Sequence, residues 1–277
     1  VYGYLNDDMA KRHLTPTLAL RLLEGHGLDL LTLRCMLAPD SPLVQMRLVN
    51  PGPERPFAEF PLRVDEPLID RLLGDVPQLA AHGSRIPVKP CLDHSVDCEL
   101  LLAVAPAPAD PGPLVLTTAA QIGLDPIVID HTRLAGLDRG IFAPALAATL
   151  RDIRLAGGLP VLTGFDAAGV SERRDVAVLA CAPMVIVTGK PSLWQDSGFG
   201  GKPVAVAPVC GDERGDWIDR LTEGLPDYGQ RERERLCRMR HLSLLAIACM
   251  TSVHSQSGAL FAAASETLRT TLSGLAR

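Results

Sequence analysis

No run of apolar residues in this chain approaches the ~20 that a membrane span requires; the longest, such as Leu244 to Met250, are far shorter. No signal-peptide pattern opens the sequence, so a cytoplasmic protein is the expectation. A disulfide framework is also lacking: seven cysteines, an odd number at irregular spacing in 277 residues, suit a reducing compartment. Positive charge is in short supply. A net charge of −5 argues against broad nucleic-acid affinity, which needs a basic face to neutralise phosphate. Among catalytic signatures there is no G-x-S-x-G, no H-E-x-x-H, no paired Cys-x-x-Cys and no G-x-x-x-x-G-K-[ST]. What is present, 47% hydrophobic and 21% charged residues, is ordinary globular composition in a chain long enough for two domains or one large one.

The first 83 residues read as a winged helix. Thr15-Pro16-Thr17 starts a helix, with Thr15 as N-cap and Pro16 in the first turn, and Gly25 ends it. A second helix is expected from Leu28 to Leu37, stopped by Pro39-Asp40-Ser41-Pro42. Leu43 to Val49 then alternates with period two, Asn50-Pro51-Gly52-Pro53 turns, and Phe57 to Val64 returns as the partner strand. Leu68 to Leu73 adds a closing helix. Residues 1–100 carry ten basic against fourteen acidic side chains, and the second helix offers Asp29 and only Arg34. Phosphate repels such a module, so protein docking is expected over DNA binding.

Residues 84–112, rich in proline, read as a linker holding a short helix at Leu100 to Val104. Within it Cys91, His94 and Cys98 have the residue types of a metal site but fit no zinc spacing, and unliganded cysteines are expected. Residues 113–210 then carry five strand-like segments, Leu114 to Thr117, Pro126 to Asp130, Pro160 to Thr163, Met184 to Thr188 and Pro203 to Ala207. Most are short, apolar and β-branched, as strands of a parallel sheet buried on both faces must be. A helix fits Ala143 to Ala156. Residues 211–277 are helical in pattern, with segments at Glu213 to Glu223, Arg231 to Met250 and Gly258 to Leu275. The expected fold is α/β: a winged helix, a parallel sheet between helices, and a C-terminal helical subdomain.

Tyr2-Gly3-Tyr4-Leu5-Asn6-Asp7-Asp8, Leu43-Val44, Leu68 to Gly74, the Gly164-Phe165-Asp166 turn and the Val187-Thr188-Gly189 strand end resemble bacterial AAA+ ATPases with an N-terminal winged helix. Several of those accompany contractile injection systems. The resemblance implies that the strand ending at Thr163 is the Walker B strand, that Thr188 lies near the sensor-1 position and that the C-terminal helices form a lid. It also implies that a lid arginine, Arg238 or Arg240, reaches toward nucleotide, with Arg173 and Arg174 as subunit-contact residues.

The departures decide the expected function. Thr163 stands where a nucleotide hydrolase places an aspartate on magnesium, and the next carboxylate is Asp166 in the turn. Residues 118–125 look like the end of a P-loop helix whose loop has been deleted, leaving too few residues for a crossover between its first two strands. Gly198 to Pro203 is glycine-rich with a lysine, yet it precedes a strand and puts proline where a hydroxyl is needed. Ser255 and Ser257 beside His254 read as helix capping.

A degenerate AAA+-like protein follows, a pseudo-ATPase acting in binding or assembly with no cofactor. In the alternative, a working ATPase would use ATP and magnesium with Thr163, Thr188, Arg238 and Arg240 binding nucleotide and Asp166 catalytic. A third reading is a winged-helix regulator. The expected partners are proteins, injection-system components among them, without nucleic acid or membrane. A monomer or low-order oligomer is expected, docking through the winged helix or Leu242 to Met250.

Overall fold

The computed structural model describes residues 13–22, 29–39, 41–51, 61–64, 68–69, 83–86, 99–223, 225, 228–239 and 242–253. The chain divides into two compact units, Val1–Ala81 with Asp138–Asp152, and His82–Leu137 with Ile153–Arg277.

In the first unit, helix α1 (Pro16–Leu22) starts on Thr15, whose Oγ1 accepts from the Leu18 N–H at 3.3 Å. Helix α2 (Leu30–Met36) is capped by Asp29, which accepts from the Thr32 N–H at 2.6 Å. The segment expected as a strand, 43–49, instead begins with a short helix, α3 (Pro42–Gln45). Ser41 Oγ accepts from the Val44 N–H at 3.4 Å, so Ser41-Pro42 acts as a helix start and overrides the period-two pattern that follows it. Strand pairing moves outward to β1 (Asn50–Pro51) and β2 (Leu62–Arg63), antiparallel, and the Leu62 N–H also donates to Leu14 C=O at 2.8 Å. Buried Leu33 and Leu37 gather Leu20, Val49 and Leu62 into a small core. The expected closing helix is described only at Leu68 and Ile69, which are helical.

The second unit is built on a six-stranded sheet: β3 (Gly83–Arg85), β4 (Leu100–Val104), β5 (Asp125–Asp130), β6 (Gly158–Thr163), β7 (Met184–Thr188) and β8 (Lys202–Ala205). The spatial order is β3-β5-β6-β7-β4-β8, with only β3 antiparallel to its neighbour. Side chains alternate between two buried faces. Ala103, Val161 and Val185 point to one face, and Leu102, Leu162 and Ile186 to the other, all at most 3% exposed. Burying each of these valine, leucine and isoleucine side chains contributes about 1.5–3 kcal/mol relative to exposure.

Leu100–Val104 is therefore a central strand, not a helix in a linker, and Leu114 to Thr117 lies inside helix α4 (Gly112–Ile122). The physical reason is positional. Proline at the first turn favours a helix, and Val115, Leu116 and Ala119 recur at helical spacing to cover the sheet, while the prolines that disguised β4 as a linker flank it on both sides and none lies within it. The deletion inferred before residue 118 disappears with that reassignment, because residues 105–111 connect β4 to α4. β4 and β5 lie three positions apart, and α4 spans the crossover between them.

Helices α5 (Arg139–Leu155), α6 (Val170–Leu179), α7 (Ser192–Gln195), α8 (Gly211–Leu221), α9 (Gln230–Arg238) and α10 (Leu244–Val253) complete the described residues. The single helix expected over 231–250 is two, α9 and α10, with Met239 to Ser243 between them. Leu245 and Ala248 of α10 join α4 on one face of the sheet, while Leu244 and Ile247 pack with Ile218 of α8 and Leu236 of α9. The helix expected over 258–275 lies outside the described residues.

Candidate functional site

Parallel strands bring their carboxyl ends to one edge, and open α/β sheets place ligands there. β4 delivers the loop 105–111, β5 delivers Asp130, β6 delivers Thr163 and β7 delivers Thr188.

Past Thr163, Gly164 takes φ +75°, a left-handed conformation that glycine adopts at little cost, and turns the chain into the 3-10 segment Phe165–Ala167. Phe165 goes fully into the core, and Asp166 turns toward β7. There Asp166 Oδ1 accepts from Thr188 Oγ1 at 2.5 Å and from Trp194 Nε1 at 3.2 Å, and Oδ2 accepts from the Gly189 N–H at 2.7 Å. Thr188 Oγ1 accepts in turn from the Lys190 N–H at 2.9 Å. Thr188 is 1% exposed and Trp194 fully buried. Three of the carboxylate's roughly four acceptor positions are taken by its own chain. Asp166 thus ties the β6 turn to the β7 turn and anchors a buried indole.

Thr163 stands apart from this cluster. Its Oγ1 lies 3.5 Å from Asp130 Oδ2, and Asp130 Oδ1 accepts from both the N–H and the hydroxyl of Thr132. Asp130, Arg133 and Thr163 line a pocket of about 470 Å³ closed on its other side by Leu245, Ala246, Cys249 and Met250 of α10. Burial pushes the Cys249 thiol up to about 11, so it stays protonated and unreactive at neutral pH. Beside this pocket His131 Nε2 meets Glu172 Oε2 at 3.3 Å, with the ring tilted against Phe165.

A second pocket, of about 570 Å³, lies between the loop after β4 and the helical segment; Ala107, Asp110, Arg214, Arg238 and Ser243 are among its lining. Asp110 is 8% exposed. Its Oδ1 accepts from the Gly112 N–H at 2.9 Å, and its Oδ2 accepts from the Leu244 N–H at 2.6 Å and from Arg214 Nη1 at 3.3 Å. Arg214 also donates through Nη2 to the carbonyls of Met239 and Leu242.

The remaining expected residues scatter. Arg238 ends α9 with its side chain 83% exposed and pairs with Glu234 at 3.8 Å. Arg173 is buried and donates Nη1 to Ala168 C=O of its own chain, and Arg174 is exposed. Arg240, the Cys91, His94 and Cys98 group, and His254, Ser255 and Ser257 lie outside the described residues. Among the described residues there is no cluster of His, Cys, Asp and Glu that would hold a metal ion. No described helix is long and apolar enough to cross a membrane.

Residues 1–81 match the family model described as "Winged helix domain, variant". The N-terminal stretch is thus a winged helix, while Asp138–Asp152, which belongs to the same compact unit, lies outside the match. No curated protein matches the chain. Among solved structures the chain is similar to the FIGL-1 AAA domain, at TM-score 0.34 and 13% identity, covering 60% of this chain and 70% of that one. It is similar to a katanin chain, described in a structure of katanin self-assembly, at TM-score 0.34 and 13% identity, covering 68% and 63%. It is also similar to C. elegans PCH-2, at TM-score 0.27 and 8% identity, covering 62% and 61%. The chain thus spans less than two thirds of the katanin and PCH-2 chains. The resemblance in sequence implies ATP as a ligand, with its phosphates on the loop between the first parallel strand and the helix that follows, here β4 and α4.

The residues there do not fit that group. A phosphate cradle uses glycine backbone amides, a lysine and a hydroxyl. This loop reads Ala107-Pro108-Ala109-Asp110-Pro111-Gly112-Pro113-Leu114, in which Pro111 and Pro113 have no N–H and the Gly112 N–H is taken by a carboxylate. At the carboxyl end of β6 stands Thr163, which has no carboxylate to offer magnesium.

The sequence reading missed Asp110, Arg214 and Trp194. Asp110 carried a local signal, an aspartate two residues ahead of Gly-Pro at a helix start. Arg214 and Trp194 carried none, since their partners lie 104 and 28 residues away.

Proposed function

We propose that this chain is an AAA+-related protein that works by binding or assembly and does not hydrolyse ATP. One observation carries the reading: the loop joining the central strand β4 to α4 presents proline, alanine and a buried aspartate in place of a triphosphate grip. Thr163 and the satisfied Asp166 support it from the β6 edge. The order of the parallel strands, with the first and second three positions apart, agrees with the AAA+ resemblance.

The winged helix domain supplies the docking surface in this reading. Its second helix spends Asp29 on a cap and leaves Leu30 and Leu31 52% and 72% exposed, which favours a protein partner over DNA. Components of a contractile injection system are the partners the resemblance implies. A protomer that holds no nucleotide also lacks the ligand term RT ln(1 + [L]/Kd) that would tighten a nucleotide-bridged ring. Light scattering at micromolar concentration is expected to give a monomer or low-order oligomer whose mass ATP and magnesium leave unchanged. A hexamer that forms only with ATP would overturn the proposal.

A further inference from the structure

Asp110 does more than spoil a phosphate site. Its carboxylate receives the Gly112 N–H at the start of α4, the Leu244 N–H at the start of α10, and the guanidinium of Arg214 on α8. Two helix N-termini and a buried arginine thus converge on one anion, which is the donor set by which proteins hold phosphate or sulfate. Arg214 is only 9% exposed, and its Nε finds no hydrogen-bond partner among the described residues. A buried guanidinium of that kind is costly unless an anion stays with it.

We propose that Asp110 is an internal substitute for a bound oxyanion, holding the loop after β4 to the helices α8 and α10, and that the same cradle takes free inorganic phosphate or sulfate once the side chain is removed. The inference deepens the proposed function and rests on it for equating this loop with the phosphate position. In wild type the anion in the cradle is a side chain of the loop itself, so the hydrogen bonds and ion pair that hold the loop to the helical segment form without any ligand. That is the state an assembly factor needs and a nucleotide-driven machine must leave each cycle.

The test compares full-length wild type, Asp110→Ala and Asp110→Asn by thermal denaturation in chloride and in low-millimolar phosphate or sulfate at matched ionic strength. Asp110→Ala is expected to melt roughly 10 °C lower in chloride, because Arg214 and two helix N-termini lose their anion, and phosphate should restore at least half of that loss. Asp110→Asn still fills the cradle, so it should be destabilised yet respond to phosphate no more than wild type, which also measures the general salting effect of these anions. If Asp110→Ala folds only when refolded in phosphate or sulfate, the same conclusion follows. An Asp110→Ala protein as stable as wild type, or one whose loss phosphate and sulfate fail to restore, would overturn the inference. Tight ATP binding by wild type would instead strike the proposed function and leave this comparison intact.

Discussion

Replacing Asp166 with alanine should lower the melting temperature of the α/β unit by about 10 °C, from a cost of roughly 3–5 kcal/mol. The cost arises from the donors left behind. The Thr188 hydroxyl and the Trp194 indole N–H are buried, and each would lose its carboxylate acceptor along with the Gly189 N–H. Hydrogen bonds to a charged group contribute about 1.5–3 kcal/mol each, and three sharing one acceptor do not add fully. Asp166→Asn keeps one acceptor oxygen and presents an amide to the remaining donors, so it should fall between wild type and alanine. In a Trp217→Phe background Trp194 gives the measurement its own probe, since its fluorescence reports the loosening of the β7 turn. An alanine variant with unchanged melting and unchanged Trp194 emission would mean that Asp166 is not the tie the geometry describes.

Gly112→Ala is expected to destabilise by about 3 kcal/mol, against the usual sign for glycine to alanine at a helix. Ordinarily that change stabilises a helix by up to ~1 kcal/mol. A Cβ on Gly112 would come 2.7 Å from Leu244 Cβ and 2.9 Å from the Leu245 backbone nitrogen, both at the start of α10. Since the obstacle includes backbone, the two helices must separate, and Asp110 loses its alignment on both N-termini. Gly140 in α5 provides the contrast, because its added Cβ meets nothing within 4 Å and alanine there should stabilise modestly. Chemical denaturation of both variants checks the pair. Gly112→Ala equal to or more stable than wild type would contradict the close approach of α4 and α10.

These two positions also mark how far the sequence could be read. Apolar runs bounded by turns located β5, β6 and β7 to within two residues, because strands buried on both faces must be short and almost wholly apolar, and the exposed edge strand β8 was located as closely from its flanking turns. The same rule failed at β4 and α4. Leu100 to Val104 and Leu114 to Thr117 are alike as local strings, and only the Gly-Pro helix start and the burial of Val115, Leu116 and Ala119 separate them. In the winged helix domain Ser41-Pro42 carried the correct signal, but the alternation after it masked a helical turn.

Legibility of the site was lower, for a reason of distance. Thr163, Asp166 and Thr188 were found because each lies just past a readable strand, yet the sequence could not tell that Asp166 and Thr188 bind each other and Thr163 does not join them. The Asp110 cradle draws on residues as far away as Leu244, and two of its three donors are remote groups that no local pattern announces. Backbone N–H groups, moreover, leave no trace in residue identity.

Isothermal titration calorimetry of the wild-type chain with ATP and magnesium tests the central claim most directly, because it asks whether this loop holds a triphosphate at all. No saturable heat is expected at any ATP concentration up to the millimolar range, with ADP behaving the same way. A saturable binding isotherm in the micromolar range, abolished by a substitution in residues 105–113, would contradict it and return the chain to the nucleotide-binding AAA+ proteins.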